Sequence, residues 1–169
     1  MSLPSEPSLR DGKGINPSSW ILELRIPMRP QGKQRPRAIG KHHYTPPETV
    51  AFERTIANVA RREMRLQNLE PLTRGVALEV TAYFATPKSA SKATVAKMLS
   101  GKECHAVKPD ASNIAKAVED ALNGIAYRDD SQIVQLFVTK AYAVRDEIHI
   151  KVMPYENPTL EELIQENRQ

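Results

Sequence analysis

The chain has 169 residues, of which 40% are hydrophobic and 26% are charged, and its net charge is +4. This length and composition predict one globular domain with a substantial core. No run of about 18 apolar residues is present, and the N-terminus lacks the apolar core of a signal peptide, so neither membrane insertion nor secretion is expected. The single cysteine, Cys104, excludes an internal disulfide and a paired-cysteine zinc site. A cytoplasmic location is therefore expected.

The first 41 residues consist of an irregular segment, a strand and a basic loop. Residues 1–19 are rich in Pro, Ser and Gly without periodicity, so we expect a flexible arm. Residues 20–26 alternate apolar and polar side chains, which predicts a half-buried strand. Residues 29–41 contain Pro, Gly and five cations but no acid, which predicts a solvent-facing loop. The five cations are Arg29, Lys33, Arg35, Arg37 and Lys41. Taken alone, such a run is as often a solvated surface as a binding site.

A long helix is predicted next. Pro46 and Pro47, followed by Glu48, are typical of a helix start, because proline fits the first turn and an acid there favours the helix dipole. The apolar spacing that follows predicts a helix that ends near Leu66. Its polar side carries several arginines, which are candidate contacts for phosphate groups.

Further along the chain, alternation and periodicity predict three more strands and one more helix. Residues 75–85 alternate as a strand does, whereas residues 89–102 predict a short basic helix or an insertion. Two strands follow at residues 133–144 and 147–153, separated by the tight turn at residues 145–146. Two strands joined in this way are expected to pair as a hairpin.

The stretch at residues 108–132, KPDASNIAKAVEDALNGIAYRDDSQ, combines a short helix with many polar side chains. Apolar residues recur at helical spacing, which predicts that one helix face lies in the core. Asp110 or Ser112 is the expected N-terminal cap, and Asn123-Gly124 is the expected left-handed stop. The apolar residues are Ile114, Ala117, Val118, Ala121 and Leu122.

A second face of this helix carries polar and charged side chains that could take part in binding or catalysis. Asn113, Lys116 and Asp120 share that face, which places an amide and an ammonium in a row that runs back towards Asp110. The helix N-terminus, with free N–H groups and a positive dipole end, favours a phosphate.

Two further acids, Asp129 and Asp130, follow the turn that ends the helix. The helix advances roughly 15 Å at about 1.5 Å per residue. The six steps from Gly124 to Asp130 reach about 20 Å when the chain is extended, so Asp130 can return to Asp110. Carboxylates brought together repel one another unless a cation lies between them, and oxygen ligands suit Mg²⁺ or Mn²⁺. Acids, a cation, a lysine and an anion-binding helix end together indicate phosphodiester chemistry.

The same residues resemble a known family. KPDASN, Lys116, DALNG and DDSQI match the pattern of the RusA-type Holliday junction resolvases, metal-dependent endodeoxyribonucleases often carried by prophages. By position, the resemblance implies that Asp110 and Asp130 bind Mg²⁺, with Mn²⁺ as an alternative, and that Lys116 is needed for cleavage. The remaining metal ligand of the family falls on Ser112, whose neutral hydroxyl binds a divalent cation more weakly than a carboxylate does.

The serine leaves three interpretations. Either Asp129 or Asp120 supplies the missing charge, or the metal is held more loosely, or cleavage is impaired. If cleavage is lost, the chain is a protein that binds junctions without cutting them. A further alternative is a nuclease that acts on other branched DNA, a flap or RNA. In the plainest interpretation the acids only cap helices and form surface pairs.

The resemblance extends to residues 26–45, with their G-K-x-R-P-R core, and implies DNA contacts by Lys33, Arg35 and Arg37. Asn113 is expected to orient a ligand or water beside the DNA. Because a four-way junction is symmetric and is cut at two points, the family acts as homodimers, which implies a dimer here. The implied setting is DNA recombination and repair, in a nucleoid-associated or phage-encoded enzyme.

The predicted fold is α+β, with a mixed sheet and helices mainly on one side. The predicted division is a flexible arm at residues 1–19, a RusA-like nuclease domain at residues 20–155 and an acidic helical tail at residues 156–169. Within the tail, Thr159 and Glu162 form a capping box that predicts a short helix.

Overall fold

A computed structural model describes residues 21–35, 37–39 and 42–156 of the chain, and only the backbone of residues 37–39, 42 and 43. The predicted arm and the predicted tail helix lie outside the described residues. The helices and strands of the described part are β1 (Leu22–Ile26), β2 (Arg37–Ile39), β3 (His42–Tyr44), α1 (Pro47–Leu66), β4 (Val76–Ala85), α2 (Lys92–Leu99), α3 (Ala111–Leu122), β5 (Ile133–Ala143) and β6 (Glu147–Pro154).

Four strands form one mixed sheet in the order β1-β6-β4-β5, and β2 and β3 form a separate two-stranded ribbon. β6 pairs antiparallel with both β1 and β4, whereas β4 and β5 run parallel. Alternate residues of β1, β4 and β6 are buried against α1 and α3, which pack on one face of the sheet. These features confirm the predicted α+β class with a mixed sheet. Within the described ranges, no helix is both long enough and apolar enough to cross a membrane.

The predicted hairpin of β5 and β6 is wrong. β4 lies between the two strands and pairs with both of them, so residues 144–146 cross the end of β4 instead of forming a hairpin turn. The carboxylate of Asp146 accepts a hydrogen bond of 2.9 Å from the backbone N–H of Ala85, the last residue of β4. The acid that made the segment resemble a turn therefore fixes this crossing.

Helix α3 forms as its sequence predicts. Its buried side is made by the apolar residues at helical spacing, and it packs against β4, β5 and α1. Asp110 occupies the N-cap position, but its side chain makes no capping hydrogen bond. The helix ends at Leu122, and Gly124 adopts a φ of 70°, the left-handed conformation that glycine tolerates best.

The order of the strands predicts which cysteine pairs will cross-link. In a Cys104→Ser background, Thr81→Cys with Thr139→Cys should form an intrachain disulfide on oxidation, because these residues are partners on β4 and β5 and adjacent strands lie about 4.8 Å apart. The matched control is Thr139→Cys with Val152→Cys, which the hairpin would make neighbours. Mass spectrometry of the oxidised proteins distinguishes the two arrangements, and cross-linking of the control pair alone would contradict the observed order.

Candidate active site

A groove of about 630 Å³ lies between residues 29–35 and the start of α3. Four cations and one acid are the charged residues that line it, and two of the cations, Arg29 and Lys33, also pair with acids outside the lining. These charged residues are Arg29, Lys33, Arg35, Lys108 and Asp110. The groove therefore brings the basic loop next to Asp110, as a site for phosphodiester chemistry requires.

Close packing at Gly32 holds the basic loop against α3. A Cβ atom at Gly32 would lie 2.9 Å from Cβ of Asn113 and 3.1 Å from Cβ of Pro109, closer than side chains tolerate. The next residue, Lys33, donates a backbone hydrogen bond of 2.8 Å to the carbonyl of Asn113. On the other side, the backbone N–H of Gln34 lies 3.4 Å from the Thr49 hydroxyl of α1. The loop is thus fixed to both helices.

A chain of alternating charges joins the basic loop, α1, α3 and residues 129–132, which we call the acidic turn. Lys33 Nζ contacts Asp120 Oδ2 directly and lies 3.6 Å from Glu53 Oε1. Lys116 Nζ lies 3.6 Å from the other oxygen of Asp120 and donates a hydrogen bond of 3.1 Å to Asp130 Oδ2. We call these five residues, Glu53, Lys33, Asp120, Lys116 and Asp130, the charge chain. It connects elements that are far apart in sequence.

The charge chain keeps both lysines protonated. The hydrogen bond from Lys116 to Asp130 raises the pKa of Lys116 above its ordinary value, and the charges of Asp120, Asp130 and Glu119 raise it further. Burial lowers the pKa of Lys33, but the hydrogen bond and charge of Asp120 outweigh it, so the net shift is upward. Lys116 is therefore a fixed positive charge at neutral pH and not a proton acceptor.

The segment that returns from α3 to the acidic turn is anchored under the helix. Tyr127 is fully buried, and its hydroxyl donates a hydrogen bond of 3.0 Å to the backbone carbonyl of Glu119. Burial raises the pKa of Tyr127, so its phenol stays neutral. This anchor determines where the following acids emerge.

Gln132 builds the turn that presents Asp130. Its side-chain oxygen accepts hydrogen bonds of 2.9 Å from the backbone N–H groups of Arg128 and Asp129. Its side-chain nitrogen donates to the carbonyls of Leu72 and Arg74, at 3.1 and 2.9 Å. The glutamine of the D-D-x-Q motif is therefore a structural residue, which sequence reasoning did not identify.

The two acids of the motif do different work. Asp129 caps the short 3-10 helix Asp130–Gln132 by accepting a hydrogen bond of 2.9 Å from the backbone N–H of Ser131. Hydrogen bonding by the side chain and backbone of Ser131 lowers the pKa of Asp129. Asp130 instead faces Lys116. Asp129 and Asp120, either of which could supply the charge that Ser112 lacks, thus both have other contacts.

The donor atoms suit a hard cation, but they are few. Asp110 is exposed, and one of its carboxylate oxygens lies 3.4 Å from the side-chain nitrogen of Asn113. Asp130 lies beside Lys116, which follows Asp110 by about 9 Å of helical rise. Among the described residues, no group of three or more His, Cys, Asp or Glu side chains is placed to hold a metal ion. Mg²⁺ binds few carboxylates and takes phosphate oxygens and water as its other ligands.

The remaining predicted site residues occupy different environments. Ser112 is exposed in the first turn of α3, and Arg35 is exposed at the groove. Lys33 lines the groove, but its ammonium is directed at Asp120 and Glu53. The side chain of Arg37 lies outside the described residues. Lys108, which sequence reasoning did not single out for DNA contact, lines the groove directly before Pro109 and Asp110.

Comparison with known proteins identifies relatives of this chain. The profile of the family Endodeoxyribonuclease RusA matches residues 27–153. The chain is also similar to YqaN of Bacillus subtilis (strain 168), an uncharacterised protein, with 32% identity over 126 residues that cover 73% of this chain and 85% of the relative. The matched residues include the basic loop, α3 and the acidic turn.

The close packing at Gly32 predicts that a side chain at this position destabilises the fold. Gly32→Ala should lower the free energy of unfolding by about 1–3 kcal/mol, because the added methyl group meets two Cβ atoms that can move only with their backbones. Chemical denaturation measures this loss. Gly75→Ala is the matched control, since a Cβ there meets its nearest neighbour at 3.4 Å. Equal stability of the two variants would contradict the close packing of the loop on α3.

Proposed function

Because this chain belongs to the RusA endodeoxyribonuclease family, we propose that it resolves four-way DNA junctions by paired, metal-dependent hydrolysis of phosphodiester bonds in recombination and repair. The observation that carries the proposal is the groove, in which the exposed cations Arg35 and Lys108 share the lining with Asp110 at the start of α3. A phosphate backbone matches this charge distribution, and the helix N-terminus adds N–H donors.

The DNA is bound mainly through its phosphates. Arg35 and Lys108 are exposed at the groove and pair with phosphate oxygens, while Arg29 extends the positive wall. Each phosphate that is neutralised releases counterions, so binding weakens as salt is added. Arg37, whose side chain lies outside the described residues, stays a predicted DNA contact on the resemblance of residues 26–45 to the family.

Asp110 and Asp130 are the residues that hold Mg²⁺ or Mn²⁺, as RusA-type resolvases are generally dependent on a divalent metal. When bound, the metal polarises the phosphoryl group and activates water. Asn113 orients Asp110 through its side-chain amide. Lys116 contributes a permanent positive charge at the scissile phosphate, since its neighbours raise its pKa. Lys33 supports Lys116 through Asp120.

A homodimer follows from the symmetry of the substrate. A four-way junction has two related strands to cut, and a pair of identical subunits presents two identical grooves to them. Each subunit then makes one of the two incisions.

A second candidate function is junction binding without cleavage. Ser112 occupies the position of a family ligand. Asp129 already accepts a hydrogen bond from Ser131, and Asp120 is paired with Lys33 and Lys116. The basic groove would still bind DNA in such a protein. A nuclease for other branched DNA, flaps or RNA would use the same groove, since all of these present phosphates.

The experiment is cleavage of a synthetic four-way junction, with linear duplex of the same sequence as control, in Mg²⁺, in Mn²⁺ and in EDTA. Paired nicks near the crossover that depend on metal support the resolvase. Tight junction binding without nicks supports the binding protein. Equal cleavage of junction and duplex, or preference for a flap or RNA competitor, would contradict junction resolution.

Removing the groove carboxylate tests its role. Asp110→Asn should reduce junction cleavage at least about 100-fold, since even outer-shell partners of a metal are worth 10- to 100-fold. Junction binding in EDTA should stay within about twofold, because the variant keeps every phosphate-binding cation. Glu70→Gln, an exposed position outside the groove, is the control. Unchanged cleavage by Asp110→Asn would remove Asp110 from the active site.

Restoring the missing carboxylate tests the effect of Ser112. Ser112→Asp should tighten Mn²⁺ binding by roughly tenfold or more and raise cleavage at limiting metal. Stability should not fall, because an acid in the first turn of α3 is favourable to the helix dipole. Titration of Mn²⁺ by electron paramagnetic resonance measures the affinity. Unchanged affinity would show that position 112 does not contact the metal.

A further inference from the structure

Asp110 is delivered to the groove by a segment whose backbone is held by a lysine of a distant strand. Lys140, in β5, donates a hydrogen bond of 2.7 Å to the carbonyl of Val107 and one of 2.9 Å to the carbonyl of Pro109. Pro109 lines the groove and directly precedes Asp110. The Lys140 ammonium therefore links β5 to Pro109, the residue that precedes Asp110.

Few other contacts restrain this segment. The side chains of Val107 and Lys108 are exposed, so they do not anchor it through packing. At its other end, His105 is buried and its ring stacks on Phe84 with the ring centroids 3.9 Å apart. The segment is thus held by an aromatic stack before it and by a charged donor at its end, where Pro109 also packs against Gly32. Hydrogen bonds from charged donors are about twice as strong as neutral ones.

The geometry points to Lys140 as a positioning residue that fixes the carboxylate of Asp110 in the groove by holding the carbonyls of Val107 and Pro109. This inference rests on the proposed function. β5 starts directly after the turn that presents Asp130 and also carries Lys140. One strand thereby determines the location of both metal-binding acids, although they lie on different segments.

Two simpler roles predict different results. A lysine that contacts DNA would be fully exposed and would affect junction affinity, whereas Lys140 is half-buried and directs its donors at two backbone carbonyls. A lysine that only stabilises the fold would change the unfolding temperature without separating the rate of cleavage from junction binding. A positioning residue changes the rate and the metal affinity while junction affinity is kept.

The test compares Lys140→Met, which removes the donors at similar length, with Lys140→Arg, which keeps them, and with the control Lys97→Met, which removes an exposed charge from α2. Four quantities are measured: hydrogen exchange of residues 104–113 without metal or DNA, Mn²⁺ affinity by electron paramagnetic resonance, the junction dissociation constant in EDTA, and kcat at saturating junction and metal.

In Lys140→Met, hydrogen exchange at residues 104–113 should accelerate, Mn²⁺ affinity should fall, and kcat should drop roughly 100-fold, as misplacement by about 1 Å does elsewhere. Its junction dissociation constant should stay within about twofold of the unchanged protein. Lys140→Arg should recover most of the kcat, and Lys97→Met should match the unchanged protein.

Unchanged exchange and unchanged Mn²⁺ affinity in Lys140→Met would overturn the inference. A loss confined to junction affinity would also overturn it, because that is the result for a DNA contact. If the unchanged protein does not cleave junctions, the proposed function fails. Exchange and Mn²⁺ affinity still decide the role of Lys140 in that case, because neither measurement requires cleavage.

Discussion

The charge chain is the interaction on which the site depends. Its five residues come from the basic loop, α1, α3 and the acidic turn, and each ammonium in it is shared by at least two carboxylates. Charges that are partly removed from water must be paired, so the loss of any member leaves a neighbour with an uncompensated charge. The charge chain therefore fixes Lys116 and Asp130 relative to the basic loop that borders the groove. Gly32 makes this possible, because only a residue without a Cβ atom lets the loop approach α3 closely enough for Lys33 to reach Asp120.

Short motifs mix chemical and structural residues, and the described residues separate the two kinds. In D-D-x-Q, Gln132 and Asp129 form the turn, while Asp130 alone faces the lysine of α3. In G-K-x-R-P-R, Gly32 and Lys33 attach the loop to the helices, while Arg35 is exposed at the groove. A match to the motif therefore does not distinguish residues that build the local structure from residues that face the site. Lys33 illustrates this, because a lysine in a basic loop suggests a phosphate contact, yet two carboxylates already surround its ammonium.

Local periodicity determined most of what could be predicted from the sequence. The 3.6-residue spacing of Ile114 to Leu122 and the alternation of β4 specify which side of each element is buried, and both are observed. Periodicity does not specify strand partners, because the same alternation fits a strand in any neighbouring position. The pairing of β5 with β4 depends on the long connection through α2 and α3, and the side chain of Asp146 that fixes the crossing looks like an ordinary turn residue. The side-chain contacts of Lys33 and Lys140 could not be predicted from the sequence either, because their partners lie 20 or more residues away along the chain.

Ser112 alters how metal and DNA binding depend on one another in the proposed enzyme. A site with three carboxylates can hold a divalent cation by itself, whereas Asp110 and Asp130 alone leave more of the coordination to phosphate oxygens and water. A phosphate that completes the coordination adds affinity for the cation, and by thermodynamic linkage the cation adds the same free energy to DNA binding. In the proposed enzyme the exposed cations Arg35 and Lys108 would therefore be coupled to the metal site, because they bring phosphates to the groove that Asp110 lines. In the proposed enzyme the groove would thereby compensate for the carboxylate that α3 lacks at position 112.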